Sequence, residues 1–411
     1  MSSPKKTSSF DFVNELKKFG GEKNQIRKFF TIGQSSVPVF TNEYWTSKQR
    51  QGNSIHEISY RACFKPQLPQ FFIERLTTAG DIVYDPFTGR GTTILEAALL
   101  NRKIISNDIN PLSKILCESR LFVPAMADIE SRLNKIVMSK KIKSDLNLSM
   151  FFEKKTLNEI LNLKNYLQEK KIKKKEDEID KWIRMVATNR LTGHSTGFFS
   201  VYTLPPNQAV SAANQEKINT KRNQAPEYRD VKKIILKKSQ QLMRDLTEEK
   251  ISILKSVGKS SLFLATDARK TTLIKNNSVQ LTVTSPPFLD VVQYADDNWL
   301  RCWFNGIDAN EIGKNISMAK KIEDWNAIML DVFHELFRIT KKGGFVAFEV
   351  GEVRHGKIKL EEHVVVLGSA AGFSSDAIMI NEQQFTKTSN IWGVSNNSKG
   401  TNTNRIVIFR K

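Results

Sequence analysis

The stretch that decides the fold is Ile82-Val-Tyr-Asp-Pro-Phe-Thr-Gly-Arg-Gly-Thr-Thr93, in which an apolar run leads into a helical pattern. Its first four residues predict a strand, and residues 92–100 predict a helix. Gly89 and Gly91 permit a tight turn whose backbone can approach a ligand, and the amino end of the helix can face a carboxylate. A purely structural turn would contain the same glycines, so this loop needs support from elsewhere in the chain.

Helix and strand patterns alternate on both sides of this stretch. The alternation stops near residue 120, resumes near residue 262 and predicts an α/β fold built on a parallel sheet. The predicted strands are 82–85, 104–107, 262–265, 279–283, 345–350, 376–380 and 405–409.

The chain divides by composition into three parts. Residues 1–43 form a polar lead-in rich in serine and lysine, and residues 44–120 and 261–411 form the sheet domain. Residues 121–260 interrupt that domain as a basic, mainly helical insertion. They contain 28 Lys and Arg against 16 Asp and Glu, a net charge of +12 out of +20 for the whole chain. A lysine-rich proteome would also give a basic protein, but this concentration of charge favours a nucleic-acid partner.

Other features of the composition exclude several classes of protein. No apolar run approaches the roughly 18 residues that a membrane helix requires, and residues 1–6 lack the apolar stretch of a secretory signal. The three cysteines are odd in number and far apart, which indicates a reducing compartment and offers no zinc spacing. The sequence therefore predicts a soluble intracellular protein without a metal site and without a membrane.

Acidic residues follow the next two predicted strands. Asp108 comes 17 residues after Gly91, where a carboxylate can bind ribose hydroxyls. Asp267 could accept a hydrogen bond from an adenine amine, although its position suits a helix N-cap equally well. A dinucleotide fingerprint would require a third glycine where Ile94 stands, so NAD is not indicated. Loop and acid together predict a nucleoside ligand.

A second motif, Thr284-Ser-Pro-Pro-Phe288, follows the predicted strand at 279–283. Ser285 and the carbonyl of Pro286 can accept hydrogen bonds from an exocyclic amine, and Phe288 can stack on a base extruded from a duplex. No G-x-S-x-G elbow surrounds the serine, and none of the cysteines follows a proline, which excludes acyl transfer and carbon-5 methylation of cytosine. An ordinary strand-end turn is the alternative to amine methylation of a nucleobase.

These motifs resemble those of the DNA amino-methyltransferases, specifically the cytosine-N4 branch of restriction–modification systems. Residues 85–93 resemble the S-adenosylmethionine loop of that family, and residues 284–288 resemble its catalytic Thr-Ser-Pro-Pro-Tyr/Phe motif. Residues 60–66 resemble the lead-in to the methionine pocket. Ser285 favours cytosine, because the adenine-N6 enzymes usually carry Asp or Asn at that position. The resemblance covers about 55–120 and 260–411.

The resemblance implies a Rossmann-like seven-stranded methyltransferase sheet, with residues 121–260 as a target-recognition region. It implies S-adenosylmethionine as cofactor, double-stranded DNA as partner, a possible cognate restriction endonuclease, and a bacterial cytoplasm. The catalytic residues that it implies are Ser285, Pro286, Pro287 and Phe288. The cofactor-binding residues that it implies are Phe64, Lys65, Pro66, Asp85, Pro86, Phe87, Gly89, Gly91, Thr92, Asp108 and Asp267. Methylation of adenine N6, in DNA or in RNA, is the nearest alternative, and a non-catalytic nucleic-acid-binding subunit is a further one.

Overall fold

The computed structural model of the chain describes residues 9–19, 26–32, 35–45, 52–60, 63–204, 209–287, 294–315, 319, 321–351, 358–382 and 403–411. Three residues that the sequence motifs single out lie outside these ranges. They are Phe288 of the predicted catalytic motif, and Arg61 and Ala62 of the predicted lead-in to the methionine pocket.

The described part of the chain is organised around one nine-stranded sheet. Its strands are β1 (Ile26–Ile32), β2 (Ser35–Asn42), β3 (Ile82–Asp85), β4 (Lys103–Asn107), β5 (Leu262–Leu264), β6 (Val279–Thr284), β7 (Thr340–Val350), β8 (Ser374–Glu382) and β9 (Thr403–Arg410). Their order across the sheet is β1-β2-β8-β9-β7-β6-β3-β4-β5. The five strands from β7 to β5 are parallel, and β9 runs antiparallel to both of its neighbours.

The α/β class and all seven predicted strands are confirmed, but the expected strand count of seven is wrong. The two additional strands, β1 and β2, come from residues that composition alone assigns to a polar lead-in. Strand β2 pairs in parallel with β8, and its Val37, Val39 and Phe40 are buried. Ser35, Ser36, Pro38 and Thr41 lie between and around these apolar residues, so the short strand does not stand out as an alternating pattern.

Fifteen helices accompany the sheet in the described ranges. They are α1 (Ser9–Lys18), α2 (Gln67–Leu76), α3 (Thr92–Leu99), α4 (Leu112–Glu118), α5 (Met126–Lys135), α6 (Lys154–Ile172), α7 (Glu178–Arg190), α8 (Ala212–Arg222), α9 (Val231–Met243), α10 (Glu248–Lys259), α11 (Tyr294–Asp297), α12 (Trp299–Asn305), α13 (Ala309–Asn315), α14 (Ile322–Ile339) and α15 (Leu360–Ala370). None of them is both long and apolar enough to cross a membrane.

Helices pack on both faces of the sheet, as in a doubly wound fold. The apolar faces of α14 and α15 form one core with residues such as Tyr84 of β3. Buried residues of α1, α2, α3 and α10 form the other core, to which the neighbouring Val83 contributes. Adjacent residues of β3 thus point into opposite cores, because side chains alternate along a strand.

The helices α5 to α9 form a third core around Trp182, Phe151 and Phe199, to which Leu300 and Phe304 of α12 also contribute. Residues 121–260 are mainly helical, as predicted, and the structure assigns no named strand to the described part of this segment. Helix α10 lies within that segment but packs on the sheet through Leu254 and Val257.

The sheet brings the carboxyl ends of its central strands to one edge. Asp85 at the end of β3 is in register with Ser106 of β4, and Tyr84 is in register with Thr282 of β6. Thr284, the last residue of β6, pairs with Phe348 of β7. The two sequence motifs, 85–93 and 284–288, therefore begin side by side, although almost two hundred residues separate them.

Candidate active site

A cleft opens at the carboxyl ends of β3, β4, β5 and β6. The residues that line it include several whose site roles the sequence predicts: Pro86, Phe87, Gly89, Asp108, Asp267, Ser285 and Pro287. Tyr60, from the segment before α2, and Trp325 of α14 complete opposite parts of the wall. The fold thus brings the glycine loop, both acids and the Pro-Pro turn to one concave surface, the usual place for a ligand in an open α/β sheet.

Asp108 is held in place by the backbone of the glycine loop. Its Oδ2 accepts a hydrogen bond of 2.8 Å from the Gly89 N–H, and its Oδ1 accepts one of 2.9 Å from Asn110. Gly89 adopts a left-handed conformation with φ of 52°, which turns its N–H toward the carboxylate. Burial raises the pKa of Asp108 to about 6, although the two backbone hydrogen bonds lower it. A carboxylate has about four acceptor positions, so Asp108 can also bind hydroxyl groups in the cleft.

Asp85 lies behind the glycine loop and not in the wall of the cleft. Its Oδ1 accepts hydrogen bonds of 3.1 Å from the Phe87 N–H and 2.7 Å from the Thr284 hydroxyl. Burial raises the pKa of Asp85 to about 7, and the hydrogen bond from Thr284 opposes that rise. This carboxylate therefore ties the start of the glycine loop to the residue that precedes Ser285.

Gly91 and Thr92 also lie behind the wall. Gly91 has φ of 86°, and a Cβ atom there would lie 2.3 Å from Sγ of Cys117 in α4. Its missing side chain is therefore needed for α3 to pack against α4. The Thr92 hydroxyl accepts a hydrogen bond of 3.2 Å from Nε of Arg90.

Phe64, Lys65 and Pro66 lie just before α2, outside the lining of the cleft. The Phe64 carbonyl accepts a hydrogen bond of 3.4 Å from Nη2 of Arg90, which connects this segment to the glycine loop. Burial lowers the pKa of Lys65. Of these three residues, Phe64 supports the loop from outside through this hydrogen bond.

Asp267 follows β5 and faces the cleft together with Arg269. The two side chains form an ion pair with an Nη2–Oδ2 distance of 2.6 Å. Hydrogen bonding from Arg269 lowers the pKa of Asp267, so this acid is ionised at neutral pH. A carboxylate that accepts hydrogen bonds from one partly exposed arginine can still accept another from an amino group of a ligand.

Asn107 connects the two loops on this side, a role that the sequence patterns did not predict. Its Nδ2 donates to the carbonyls of Pro86, at 3.3 Å, and Thr266, at 3.0 Å. Its Oδ1 accepts from the Thr266 N–H at 3.1 Å. A buried amide that pairs with backbone groups of both loops fixes their spacing.

Ser285 contacts a buried carboxylate at the end of β7. Its hydroxyl lies close enough to Glu349 to lower the pKa of that acid, and Oε1 of Glu349 accepts a 3.0 Å hydrogen bond from Nδ2 of Asn404. Burial raises the pKa of Glu349, and the interactions with Ser285 and Asn404 oppose the rise. Sequence reasoning missed Glu349, although a charged residue within the apolar run 345–350 is the signal that could have identified it.

Trp325 holds the Pro-Pro turn from the opposite side. Its Nε1 donates a 3.0 Å hydrogen bond to the carbonyl of Pro287, and the side chain is almost fully buried. It lines the cleft together with Ile328 and Met329 of the same helix. The amphipathic pattern of α14 predicts the buried face but not this hydrogen bond.

Comparison with known proteins supports what the motifs predict. Residues 4–115 match the family model described as DNA methylase, which groups N6 and N4 enzymes. These residues are therefore similar to those of the DNA methylases. They make up about a quarter of the chain and include the whole glycine loop and Asp108.

Two curated relatives are type II methyltransferases. M.MjaII of Methanocaldococcus jannaschii is 32% identical over 141 residues, which are 33% of this chain and 26% of that protein. M.BsoBI of Geobacillus stearothermophilus is 22% identical over 352 residues, which are 77% of this chain and 66% of that protein. The chain thus spans less than two thirds of the length of each of these relatives.

Solved structures show more distant likenesses. A candidate DNA modification methylase of Thermus thermophilus, solved with S-adenosyl-L-methionine, is 23% identical, with a TM-score of 0.23 over 35% of this chain and 53% of that one. The rRNA methyltransferase aviRa of Streptomyces viridochromogenes is 9% identical, with a TM-score of 0.37 over 90% and 94% of the chains. Neither likeness is close enough to assign a function.

The cleft suits S-adenosylmethionine, the cofactor that the glycine-loop motif implies. The ionised or ionisable acids Asp108 and Asp267 can accept hydrogen bonds from hydroxyl and amino groups. Phe87 and Ile109 offer apolar surface to a flat ring. Gly89 has a left-handed backbone conformation, and its N–H donates to Asp108. Because it is a glycine, no side chain covers the loop at this position.

Proposed function

We propose that the protein transfers a methyl group from S-adenosylmethionine to the exocyclic amine of a base in DNA, and that this amine is N4 of cytosine within a short recognition sequence. One observation carries the proposal. The glycine loop with Asp108 and the turn with Ser285 line the same cleft, at the ends of neighbouring parallel strands. A methyl donor and a base amine bound at these two places would meet inside it.

The cofactor side of the cleft would be formed by the glycine loop and two acids. Asp108 would accept hydrogen bonds from ribose hydroxyls, Asp267 would accept one from an adenine amine, and Phe87 would pack on the adenine ring. Asp85, Gly91 and Thr92 would act from behind by holding the loop in shape, and Phe64, Lys65 and Pro66 would support it through Arg90. When bound, the cofactor supplies an electrophilic methyl group.

Ser285 and the carbonyl of Pro286 would orient the target amine. The lone pair of such an amine is delocalised into the base, and acceptors on its two N–H bonds localise the pair on nitrogen. The Ser285 hydroxyl, which lowers the pKa of the nearby Glu349, would donate its proton to that carboxylate and turn its own lone pairs toward other donors. The buried carboxylate would thereby make Ser285 a better acceptor, and the proton that the amine loses could pass to water.

Phe288 would stack on a base flipped out of the duplex, since the amine is out of reach inside the stack. That residue lies outside the described part of the chain, so its role rests on the motif alone. Pro286 and Pro287 would keep the turn rigid. Trp325 supports this assignment, because it holds the Pro287 carbonyl from within the cleft.

Cytosine is proposed over adenine because Ser285 stands where the adenine-N6 enzymes usually have Asp or Asn. Double-stranded DNA is the proposed substrate, and residues 121–260, with their excess of positive charge, are the proposed recognition region. In a bacterial restriction–modification system, such methylation would protect cytoplasmic host DNA from a cognate endonuclease. Adenine N6, in DNA or RNA, is the second candidate for the amine.

Long-read sequencing tests this proposal in cells. DNA from a host without its own methylases, expressing the wild-type chain, should contain N4-methylcytosine at every copy of one short sequence. DNA from cells expressing Ser285→Ala should lack the modification. N6-methyladenine at such a site would favour the second candidate, and unmodified DNA from cells with soluble wild-type protein would contradict both.

A further inference from the structure

Three cationic side chains are buried beside the cleft, in the helical core formed by α5 to α9 and α12. Arg190, Lys238 and Arg301, which we call the buried cation cluster, are 8%, 6% and 4% exposed. They come from the end of α7, from α9 and from α12. Charged groups are seldom buried to this degree unless an opposite charge compensates them.

Compensation within the cluster is incomplete. The ion pair of Lys238 is a long one, 4.0 Å to Oε2 of the half-exposed Glu57. Arg190 makes no ion pair with any residue of the described chain, and its Nε has no hydrogen-bond partner there. Its Nη2 donates to the neutral Oδ1 of Asn189 at 2.5 Å, and its guanidinium stacks 3.9 Å from the centre of the Phe198 ring.

Arg190 also experiences repulsion from Arg301, and Lys238 experiences repulsion from Arg190. Burial lowers the pKa of Arg190 to about 9, with a further lowering from Arg301. Burial likewise lowers the pKa of Lys238 to about 8, and Arg190 is the charge that adds most to the effect. Burial and the positive charge of Arg301 therefore both disfavour the charge of Arg190 in the free protein.

The cluster lies directly behind the wall of the cleft. Nη2 of Arg301 donates to the carbonyl of Ser59 at 3.1 Å, and Nδ2 of Asn189 donates to the same carbonyl at 2.9 Å. The next residue, Tyr60, lines the cleft. On its other side, Phe198 connects Arg190 to the exposed His194 at the surface, with ring centres 6.1 Å apart.

We propose that the buried cation cluster is a phosphate-binding site, in which Arg190 receives a phosphodiester of the nucleic acid whose base enters the cleft. The assignment of that phosphodiester to DNA rests on the proposed function. A guanidinium with an unused Nε–H offers the donor geometry that a phosphate oxygen requires. Bound phosphate would give Arg190 the opposite charge that no side chain in the described part of the chain gives it in an ion pair.

The proposal predicts opposite effects of one substitution on stability and on binding. Removing the charge in Arg190→Gln should leave the free protein at least as stable as wild type, because it relieves repulsion among buried cations. It should weaken DNA binding by roughly tenfold or more, as expected for loss of a charged hydrogen bond. An arginine that only stabilises the fold would show the reverse pattern.

The first test is thermal unfolding of the full chain in sodium chloride and in sodium phosphate of equal ionic strength. Arg222→Gln is a matched control, because Arg222 also stacks on an aromatic ring, 3.8 Å from Tyr202, but is exposed. Phosphate stabilises most proteins by exclusion from their surface, so the difference between variants is the signal. Wild type and Arg222→Gln should gain more stability from phosphate than Arg190→Gln does.

The second test is the salt dependence of binding to duplex DNA. Loss of one phosphate contact should reduce the slope of log K against log salt by about 0.9 in Arg190→Gln. Equal stabilisation of all three proteins by phosphate, an unchanged slope, or failure of Arg190→Gln to fold where Arg222→Gln folds would each overturn the proposal. The phosphate test involves no methyl transfer, so it can succeed even if the proposed function fails.

Discussion

The two sides of the cleft are built from contacts of very different range. On the cofactor side, Asp108 is held by Gly89 and Asn110, which are 19 and 2 residues away. On the amine side, Ser285 and Pro287 are held by Glu349 and by Trp325, which lies 38 residues beyond Pro287. The acid of the first side is thus positioned by backbone groups near it in the chain, whereas the second side depends on α14 and β7 being correctly packed. Substitutions on the two sides should therefore affect different kinetic constants.

The largest effect is expected from substitution of Ser285, the residue that would orient the target amine. Ser285→Ala should lower the turnover number by about a hundredfold, the scale of losing one oriented polar contact to a reacting group. The affinity for S-adenosylmethionine should stay within about twofold, because the cofactor side is held separately. Single-turnover methylation and calorimetric titration measure the two quantities.

Ser278→Ala is the control, since Ser278 is only partly buried, lies just before the opposite end of β6 and donates its hydroxyl to the Lys275 carbonyl. It should match wild type in both measurements. If Ser285→Ala kept its turnover, or if its cofactor affinity fell together with its turnover, the two sides of the cleft would not have the separate roles proposed here.

The second effect is expected on the cofactor side. Asp108→Asn should weaken cofactor binding by roughly tenfold or more, because it removes an ionised acceptor and leaves a backbone N–H of the loop badly paired. Turnover at saturating cofactor should change little. Titration calorimetry of the variant and of Asp128→Asn, an exposed aspartate in α5, gives the comparison.

The same carboxylate predicts a pH dependence. The pKa of Asp108 is raised to about 6, and the ionised form is the better acceptor for ribose hydroxyls. Cofactor affinity of the wild type should therefore fall as the pH drops through about 6, and that of Asp108→Asn should stay flat. An affinity that is independent of pH between 5 and 8 in the wild type would show that Asp108 does not bind the cofactor.

A smaller effect is expected at Glu349. Glu349→Gln should reduce turnover by about tenfold, because Ser285 would become a weaker hydrogen-bond acceptor for the amine, with little change in cofactor affinity. Because burial raises the pKa of Glu349, wild-type turnover should decline in acid at a pH above the ordinary glutamate range, and the variant should lose that decline. Stopped assays from pH 5 to 8 measure it, with Glu362→Gln as control, since Glu362 of α15 is partly exposed and paired with Lys359.

The smallest effect is expected at Trp325. Trp325→Phe keeps an aromatic ring but removes the hydrogen bond to the Pro287 carbonyl. A neutral hydrogen bond contributes about 1 kcal/mol, so turnover should fall about fivefold and cofactor affinity should not change. Trp303→Phe removes a comparable bond, to Asp145 at 2.9 Å, away from the cleft and should leave turnover intact.

The same difference in range explains what sequence could predict. The strand, glycine loop and helix at 82–100 are encoded by adjacent residues, so their positions and the acid at 108 follow from local pattern. Thr284 and Asp85 meet across 199 residues, and no local pattern indicates that Asp85 turns away from the cleft to bind that hydroxyl. Glu349 and Trp325 were missed for the same reason, since strand alternation and helical periodicity identify a face but not a partner.

The N-terminal strands were also missed because their conformation depends on distant parts of the chain. Strand β2 is stabilised by its pairing with β8, more than three hundred residues later in the chain. Its own sequence, with Pro38 and several hydroxyl residues, is a weak strand former. Tertiary pairing decides its conformation, so composition alone assigned it to a lead-in.

The central claim, that Ser285 and its cleft direct methylation to a base amine, is tested most directly with purified protein, duplex DNA and S-adenosylmethionine carrying a deuterated methyl group. Mass spectrometry of the digested DNA should find the label in N4-methyldeoxycytidine with the wild type, and at about a hundredfold lower initial rate with Ser285→Ala. Label on a carbon atom of a base, no label in DNA, or equal rates for the two proteins would contradict the account.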